Sequence, residues 1–536
     1  MSNRRLVITD REDQIKDLDV LPAWDRSLID YKRYHQYVGQ SGIRYEMTMQ
    51  GTRGCPFQCF YCDVQHITPY HRRRSIPHIM DELRALHDIG VRKCEFIDDA
   101  FNVDIKAFKD FFRCVIKAGL DMEFYFQSGL RGDMLDHEAI DLMVEGGTKS
   151  MNLSLESASP RLQKLMGKNL KIDKLYNNLQ YIVSNYPNII LGLNAMHGFP
   201  TETEEEARST VDFIMGIHWL HFAQLHNVHI FPNSKLERIA LENGVTKAEI
   251  EESYTTPYHL IPKTIKLDHD FSRKLRLRFV HDYILNKERL KYVLGHEILV
   301  MNEEELKFKY QSIFPSQIRT IDDILRLARL ERSEIDFSRM KKMEVPHIHY
   351  PEKVKKISTD AYRILFIDAS QFFDSRQKGI ELDIVEPPLG CMSILTYLNS
   401  VYNDRIMGEI IKTGVDVNSF EELNQYVENF CPDLIAIRTM TYFKDFFAQV
   451  VNSLMIVHGG GANIPIIAGG PHPTIAPEDV LKVEGVCACV IGEGEIICAN
   501  LIKSVLENGK KFPSPEIMRG IKGLAFWDRT QALDND

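Results

Sequence analysis

The chain has 536 residues, 44% hydrophobic and 26% charged, with a formal net charge of −10, an ordinary globular composition with room for two or three domains. The acidic balance, with no basic run longer than Arg72-Arg73-Arg74, excludes a protein that grips nucleic acid through a broad positive face. No apolar run reaches the ~18 residues of a membrane span, and none follows Met1-Ser-Asn-Arg-Arg5, so a cytoplasmic protein with no membrane partner is expected.

Residues 1–44 are polar and irregular and read as a linker segment, marked only by Asp17-Leu-Asp-Val-Leu-Pro-Ala-Trp24. From 45 to 244, short apolar runs alternate with amphipathic helical patterns, the sign of β/α repeats with parallel strands. Strands are expected at Tyr45–Gln50, Lys93–Asp99, Glu123–Ser128, Ser150–Ser157, Ile189–Gly198 and Asn227–Pro232. Ser75 is placed to cap a helix with Pro77 in its first turn, and another helix is expected from Asp104 to Lys117. Six such units make an α/β partial (β/α)6 barrel, whose ligands belong at the carboxyl ends of the strands. Residues 245–356 are charged and helix-rich (Phe271 to Arg289, Glu303 to Lys309, Asp322 to Arg332) and read as a helical connector ending in a linker up to Lys356. A second α/β domain, Rossmann-like, spans 357–536, with strands at Tyr362–Asp368, Asp433–Arg438 and Pro465–Gly469 and a further element at Val490–Glu495.

The densest chemistry is Gly51-Thr-Arg-Gly-Cys55-Pro-Phe-Gln-Cys59-Phe-Tyr-Cys62-Asp63. Ten cysteines without a secretion signal suggest a reduced compartment and metal or redox chemistry rather than disulfides. Thiolates are the preferred ligands of iron–sulfur clusters. Three closely spaced cysteines would hold three irons of a cubane and leave the fourth open. A structural zinc site would need a fourth Cys or His, for which His66 is the near candidate; three core cysteines are the remaining reading. Cys94, Cys114, Cys431, Cys487, Cys489 and Cys498 read as core residues. The basic turn Arg72–Arg74 either faces solvent or offers an arginine fork to a carboxylate.

The Cys55-x3-Cys59-x2-Cys62 spacing resembles the radical SAM superfamily. The resemblance implies a [4Fe-4S] cluster on Cys55, Cys59 and Cys62, with S-adenosylmethionine (SAM) chelated at the open iron and a 5'-deoxyadenosyl radical as the product of its reduction. It also implies cofactor-binding roles at strand ends. Asp98 and Asp99 stand at the position that meets the methionine amino group, and Ser128 ends the third strand. Glu156 matches a ribose or methionine contact, and Asn194 and His197 lie in the strand and loop on the adenine side. Phe231-Pro-Asn-Ser replaces the usual Pro-Gly-Thr turn. This resemblance covers residues 17–244.

The second domain, through Pro387-Pro-Leu-Gly390, Gly469-Gly-Pro-His472 and Gly492-Glu-Gly-Glu495, resembles the cobalamin-binding domain that precedes the barrel in many radical SAM enzymes. Here it follows the barrel. The final segment, Gly520-Ile-Lys-Gly-Leu-Ala-Phe526, resembles a strand that normally feeds a Leu-Asp-x-Leu-Pro linker, which stands instead at Leu18–Pro22, so the chain resembles a circular permutant. Cobalamin is a possible ligand, yet the stretch Asn399 to Phe420, compared with the family's Asp-x-His-x-x-Gly, holds no histidine and argues against cobalt ligation by imidazole. Cys391, on the loop after the domain's first strand, is then the expected catalytic thiol, returning hydrogen to a substrate radical as in radical SAM peptide epimerases. The expected reaction is epimerisation of a peptide or peptide-like substrate, the alternative being cobalamin-dependent C-methylation. Flavodoxin or ferredoxin is the expected electron donor.

Overall fold

The computed structural model describes residues 4–254, 256, 260–314, 317–353, 360–373, 384–458 and 464–529. The chain begins in β1 (Arg4–Ile8), followed by β2 (Glu46–Met49) and a short ribbon of β3 (Thr52–Arg53) and β4 (Arg72–Arg73). It continues with β5 (Lys93–Phe96), β6 (Glu123–Leu130), β7 (Thr148–Glu156), β8 (Ile190–His197) and β9 (Phe222–Asn227). Strands β2-β5-β6-β7-β8-β9 pair in parallel, in that order, as an open barrel sheet.

Period-two alternation builds this sheet. Met47, Met49, Cys94, Phe96, Phe124, Phe126, Met151 and Leu153 are buried in the core shared with the surrounding helices. The intervening positions, among them Glu46, Glu95, Gln127, Ser150, Asn152 and Asn194, therefore turn to the lumen, which is polar. Gln127 Nε2 donates to Ser150 Oγ at 2.7 Å, and Asn152 Nδ2 donates to Gln127 Oε1 at 2.8 Å. The helices start where side-chain caps accept orphan amides: Ser75 from His78 N, Asp104 from Ala107 N, and Thr203 from Glu206 N in a reciprocal capping box.

The sixth barrel strand lies at Phe222–Asn227, earlier than expected, and pairs from Gly192↔Phe222 to His197↔Asn227. The more apolar Val228 and Ile230 instead pack in a separate cluster with Phe60 and Leu236. The expected long helix from Phe271 is split: a helix over His269–Arg278 passes into a π-helical turn and ends before Lys287–Glu297. Asn286 caps the new helix by accepting from Arg289 N. Helices of the connector close the amino-terminal end of the barrel, opposite the cysteine loop. Lys309 donates to His221 O, Arg289 to Leu220 O, and Lys93 pairs with Glu305. Residues 354–356 of the expected linker lie outside the described residues.

The second domain contains β10 (Tyr362–Asp368), β11 (Ile406–Lys412), β12 (Leu434–Arg438), β13 (Ile466–Gly469), β14 (Val486–Val490) and β15 (Leu524–Arg529). Its sheet runs β1-β15-β14-β13-β12-β10-β11. The order from β11 to β14 is that of a doubly wound fold whose strand order reverses between β10 and β12. Strand β11 was not expected, and Gly492–Glu495 forms the loop after β14 and the start of the next helix.

Residues 4–8 correct the reading of 1–44 as a linker. They form β1, the edge strand of the second domain's sheet, antiparallel to β15 from Arg4↔Arg529 to Ile8↔Ala525. Nothing local in Arg-Arg-Leu-Val-Ile announces a partner more than five hundred residues away. The two ends of the described chain are therefore neighbours, as a circular permutation requires. Two cysteines expected in the core are exposed. Cys431 ends the helix Phe420–Phe430 in a left-handed conformation, and Cys487 falls on the outward side of β14.

Candidate active site

The cysteine loop leaves the β3–β4 ribbon at the carboxyl end of β2. Gly54 turns the chain at φ +78, and a Cβ there would stand 2.3 Å from Tyr70 O, so the position demands glycine. Asp99 Oδ2 accepts from Gly54 N at 3.0 Å. Gln65 Nε2 donates to Cys55 O and Phe57 O at 2.5 and 2.7 Å, and Phe60 N donates to Met166 O at 2.9 Å. The loop is thus held by backbone bonds, and its three thiols are half-buried and free. Burial raises all three, Cys62 up to about 12, and each also feels the charge of a neighbouring cysteine or acid. Among the described residues no three Cys, His, Asp or Glu side chains converge as ligands of one ion would. Three half-buried thiols on one short loop are a donor set that suits an iron–sulfur cluster.

The sequence-derived SAM residues divide. Asp98 is buried and committed to the backbone: its carboxylate accepts from Gly51 N, Thr52 N and Thr52 Oγ1. Burial raises its pKa to about 6 despite those bonds. Its neighbour Asp99 faces the cavity described below. Glu156, at φ +65, pairs with Lys168 Nζ at 2.7 Å. Asn194 keeps a buried Oδ1 with no hydrogen-bond partner, a polar atom left for a ligand, and Ser128 is half-buried at the same mouth. His197 is 1% exposed, with Nδ1 3.0 Å from Glu202 Oε2 and Nε2 3.2 Å from Ser272 Oγ. Its Nε2 is bonded within the protein, while its buried Nδ1 lies close to Glu202 without a hydrogen bond.

Arg72 and Arg74 form neither a solvated turn nor a free carboxylate fork, whereas Arg73 keeps buried Nε and Nη1 atoms without a hydrogen-bond partner. Arg72 binds Glu493 with both terminal nitrogens and donates to Ile15 O at 2.8 Å. Arg73 donates to Phe101 O, and Arg74 to Glu82 and Gln50 O. Beside them, Arg53 Nη2 meets Glu495 Oε1 at 2.8 Å and Ser393 Oγ at 3.1 Å. Strand β3, two residues before Cys55, is thereby clasped to the Gly492–Glu495 loop of the second domain. The loop was prominent in the sequence, but its arginine partners lie 421 and 442 residues away.

Between the barrel mouth and the second domain lies a cavity of about 600 Å³. The barrel contributes Gln50, Arg53, Ile97 and Asp99, and Trp24 closes one side. The second domain contributes the carboxyl ends of β10 and β12, which flank its topological switch point, and the glycines 390, 469, 470, 492 and 494. Asp368 there is fully buried, 3.0 Å from both Lys412 Nζ and Arg438 Nη1. Burial disfavours its charge, but the two cations hold it well below the ordinary carboxylate range. Cys391 lines the cavity from the first turn of the helix Leu389–Tyr402, and burial pushes its thiol up to about 12. It is a protonated S–H at neutral pH.

These features meet two known families. The profile of the Radical SAM superfamily matches residues 49–214, and that of the B12 binding domain matches residues 380–502. The chain carries a radical SAM domain followed by a B12-binding domain. Among curated relatives, an uncharacterized methyltransferase of Pyrococcus horikoshii is 26% identical over 53% of this chain and 60% of its own. A tRNA-2-methylthio-N(6)-dimethylallyladenosine synthase of Thermotoga petrophila is 28% identical over 30% and 38%. The cytidylyl-2-hydroxyethylphosphonate methyltransferase of Streptomyces wedmorensis is 28% identical over 30% and 31%. The chain thus spans at most 60% of the length of these three relatives. Solved structures with local likeness include the radical SAM methyltransferase TsrM of Kitasatospora setae (TM-score 0.33, 19% identity, 36% of each chain). Another is the cobalamin-dependent SAM radical enzyme OxsB (TM-score 0.32, 13% identity, 53% of this chain and 50% of that one).

A radical SAM domain implies a [4Fe-4S] cluster and SAM, and a B12-binding domain implies cobalamin as its candidate ligand. Asn399 to Phe420 is the stretch without the family's histidine. That stretch runs through the end of a helix, β11 and the following turn, and only its Lys412 lines the cavity. Its lack of histidine therefore carries little weight. The cavity's glycine backbones and apolar walls (Phe366, Leu389, Ile437, Val490) suit a large flat ligand with amide edges. No histidine lines it among the described residues, so a corrinoid here would receive no imidazole from these walls.

Proposed function

We propose that the chain is a radical SAM enzyme that methylates a carbon atom of its substrate. The observation that carries this reading is the glycine-lined cavity, shared between the switch point of the B12-binding domain and the Asp99 side of the cluster loop. Two of the relatives above bear methyltransferase names, which favours methylation over the epimerisation expected from the sequence. When bound, the cluster would supply an electron to cleave SAM, and a corrinoid would supply the methyl group. The protein's own part is positional. Cys55, Cys59 and Cys62 would hold the cluster, with Asp99 and Gly54 fixing their loop. Asn194, Glu156 and Ser128 are proposed to meet SAM, together with Asp98 as the brace of the strand before the loop. His197, bonded to Ser272 and lying beside Glu202, would steady the strand end. The Arg53–Glu495 and Arg72–Glu493 pairs keep the two domains in register across the cavity and exclude water from its edge.

Inversion of a stereocentre remains a second reading for one reason: Cys391 presents a protonated thiol to the same cavity. The peptide-like substrate and the flavodoxin or ferredoxin donor belong to the proposal as well. The test is anaerobic purification with cobalamin supplied, then reaction with SAM and reductant in deuterated water. Methylation predicts corrinoid absorbance, 5'-deoxyadenosine and a product heavier by one methyl group. A product that gains a single deuteron instead, without corrinoid absorbance, would overturn it. If that product disappears in Cys391→Ala, the thiol is the hydrogen donor.

A further inference from the structure

The electron that a cluster on this loop needs has to arrive from outside the protein, and the fold leaves one flank of the loop open. On the side of Gly54 and Asp99 the loop faces the cavity. On the side of β3 the Arg53–Glu495 and Arg72–Glu493 pairs cover it. The flank around Pro56 and Gln58 is exposed.

Two surface elements hold this flank. Phe60 N donates to Met166 O at 2.9 Å, and Leu236 N donates to Phe60 O at 3.1 Å. Gly167 comes so close that a Cβ there would stand 2.8 Å from Gln58 O. The first contact brings the helix Pro160–Leu165, with Lys164, beside the loop, and the second brings the helix Lys235–Glu242. A groove of about 510 Å³ lies against the latter, lined by His66, four residues after Cys62, and by Lys235, Arg238, Leu241 and Lys247. Lys164, Lys235, Arg238 and Lys247 are exposed, and none forms an ion pair among the described residues. Glu237 and Glu242 share the groove, but Glu237 Oε2 already accepts from Asn233 N at 2.7 Å. Positive charge therefore exceeds negative at this flank, on a chain whose net charge is −10. The excess would draw an acidic protein to this one side and orient it there, while the rest of the surface repels it. Exposed Leu241 and Pro56 offer the apolar contact that a rim of charge surrounds in a protein interface.

We propose that the Gln58 flank of the cysteine loop, with Lys164, Lys235, Arg238 and Lys247, is the docking surface for an acidic one-electron carrier protein. One electron leaves the carrier's reduced centre and enters the cluster, so the carrier is oxidised and the cluster reduced by one electron each. This rests on the reading of Cys55, Cys59 and Cys62 as cluster ligands.

Calorimetric titration of the cluster-reconstituted protein with oxidised flavodoxin, at low ionic strength, reads docking without any turnover. Binding should be saturable and should weaken steeply with added salt. Lys164→Glu, Lys235→Glu and Arg238→Glu should each weaken it by roughly threefold to tenfold, and the triple variant should weaken it further. Lys117→Glu, at the end of a helix on the far side of the barrel from the loop, should leave it unchanged. Dithionite needs no docking, so 5'-deoxyadenosine formed with it should match the wild type in every variant. Formation driven by reduced flavodoxin should fall in the three patch variants and hold in Lys117→Glu. Unchanged flavodoxin binding in the triple variant, an equal loss in Lys117→Glu, or displacement of flavodoxin by a short RNA duplex would overturn the proposal. A wild type that forms no 5'-deoxyadenosine even with dithionite would refute the cluster reading, and the docking surface with it.

Discussion

Asp368 shows how one residue ties the cavity to the stability of its domain. Its carboxylate sits at the end of β10, with Lys412 of β11 and Arg438 of β12 on either side. Removing one partner of a buried pair strands the other charges and costs about 3–5 kcal/mol. Asp368→Asn should lower unfolding stability by that order at neutral pH, read by denaturant titration. The sign with pH follows from the depressed folded-state pKa. The contribution is complete above the ordinary value near 3.8 and is lost as pH falls through the lower folded value. The wild-type and variant stability curves should therefore converge in strong acid. The triad could not be read from the sequence, because Asp368 and Arg438 were seen only as strand ends, Lys412 lies on a strand that was not expected, and their convergence depends on the order β11-β10-β12.

At the scale of elements, what was legible follows the reach of the interactions. The cysteine loop occupies eight residues, and the caps at Ser75 and Asp104 act over three, so composition and spacing sufficed to place them. Strand β11 hid behind a helix end, and β9 was misplaced because the more apolar run lies just beyond it. The clasp between β3 and the helix Gly494–Glu507 joins elements more than four hundred residues apart. Glu495 is in that helix's first turn, where a negative charge also suits the helix dipole. It is met by Arg53 and Ser393. Glu495→Ala, which strands a mostly buried arginine, should cost about 3–5 kcal/mol. Glu495→Gln, which keeps an acceptor for both donors, should cost about 1–3 kcal/mol. Thermal unfolding of the two variants should show that order, and equal losses would mean that shape rather than charge holds the clasp.

Across the whole molecule, the barrel and the doubly wound domain were foreseeable from alternating patterns, whereas their joining was not. Hydrophobic periodicity reports which side of an element is buried, and it is silent on what buries it. The polar lumen illustrates the point: Glu46, Glu95 and Asn152 look like solvent-facing positions in an alternating strand until the strands curve into a barrel. The helical connector was likewise visible as helices, yet its place at the base of the barrel depends on Lys309 and Arg289 reaching the backbone of Leu220 and His221.

Because β1 lies in the second domain's sheet, the polypeptide passes between the domains twice, once after Ile8 and once before Tyr362. The assembly is in effect a closed loop of chain with a hydrogen-bonded seam where the ends meet. Each passage keeps the domains at high effective concentration if the other is cut. Opening the cavity is then restricted to rotation about a line through the two passages, and a free swing on a single tether is not available. A protease site placed at 354–359 should, once cleaved, leave two fragments that elute together and separate only in denaturant. Early separation in native buffer would show that the seam and the clasp are too weak to act as the second tether.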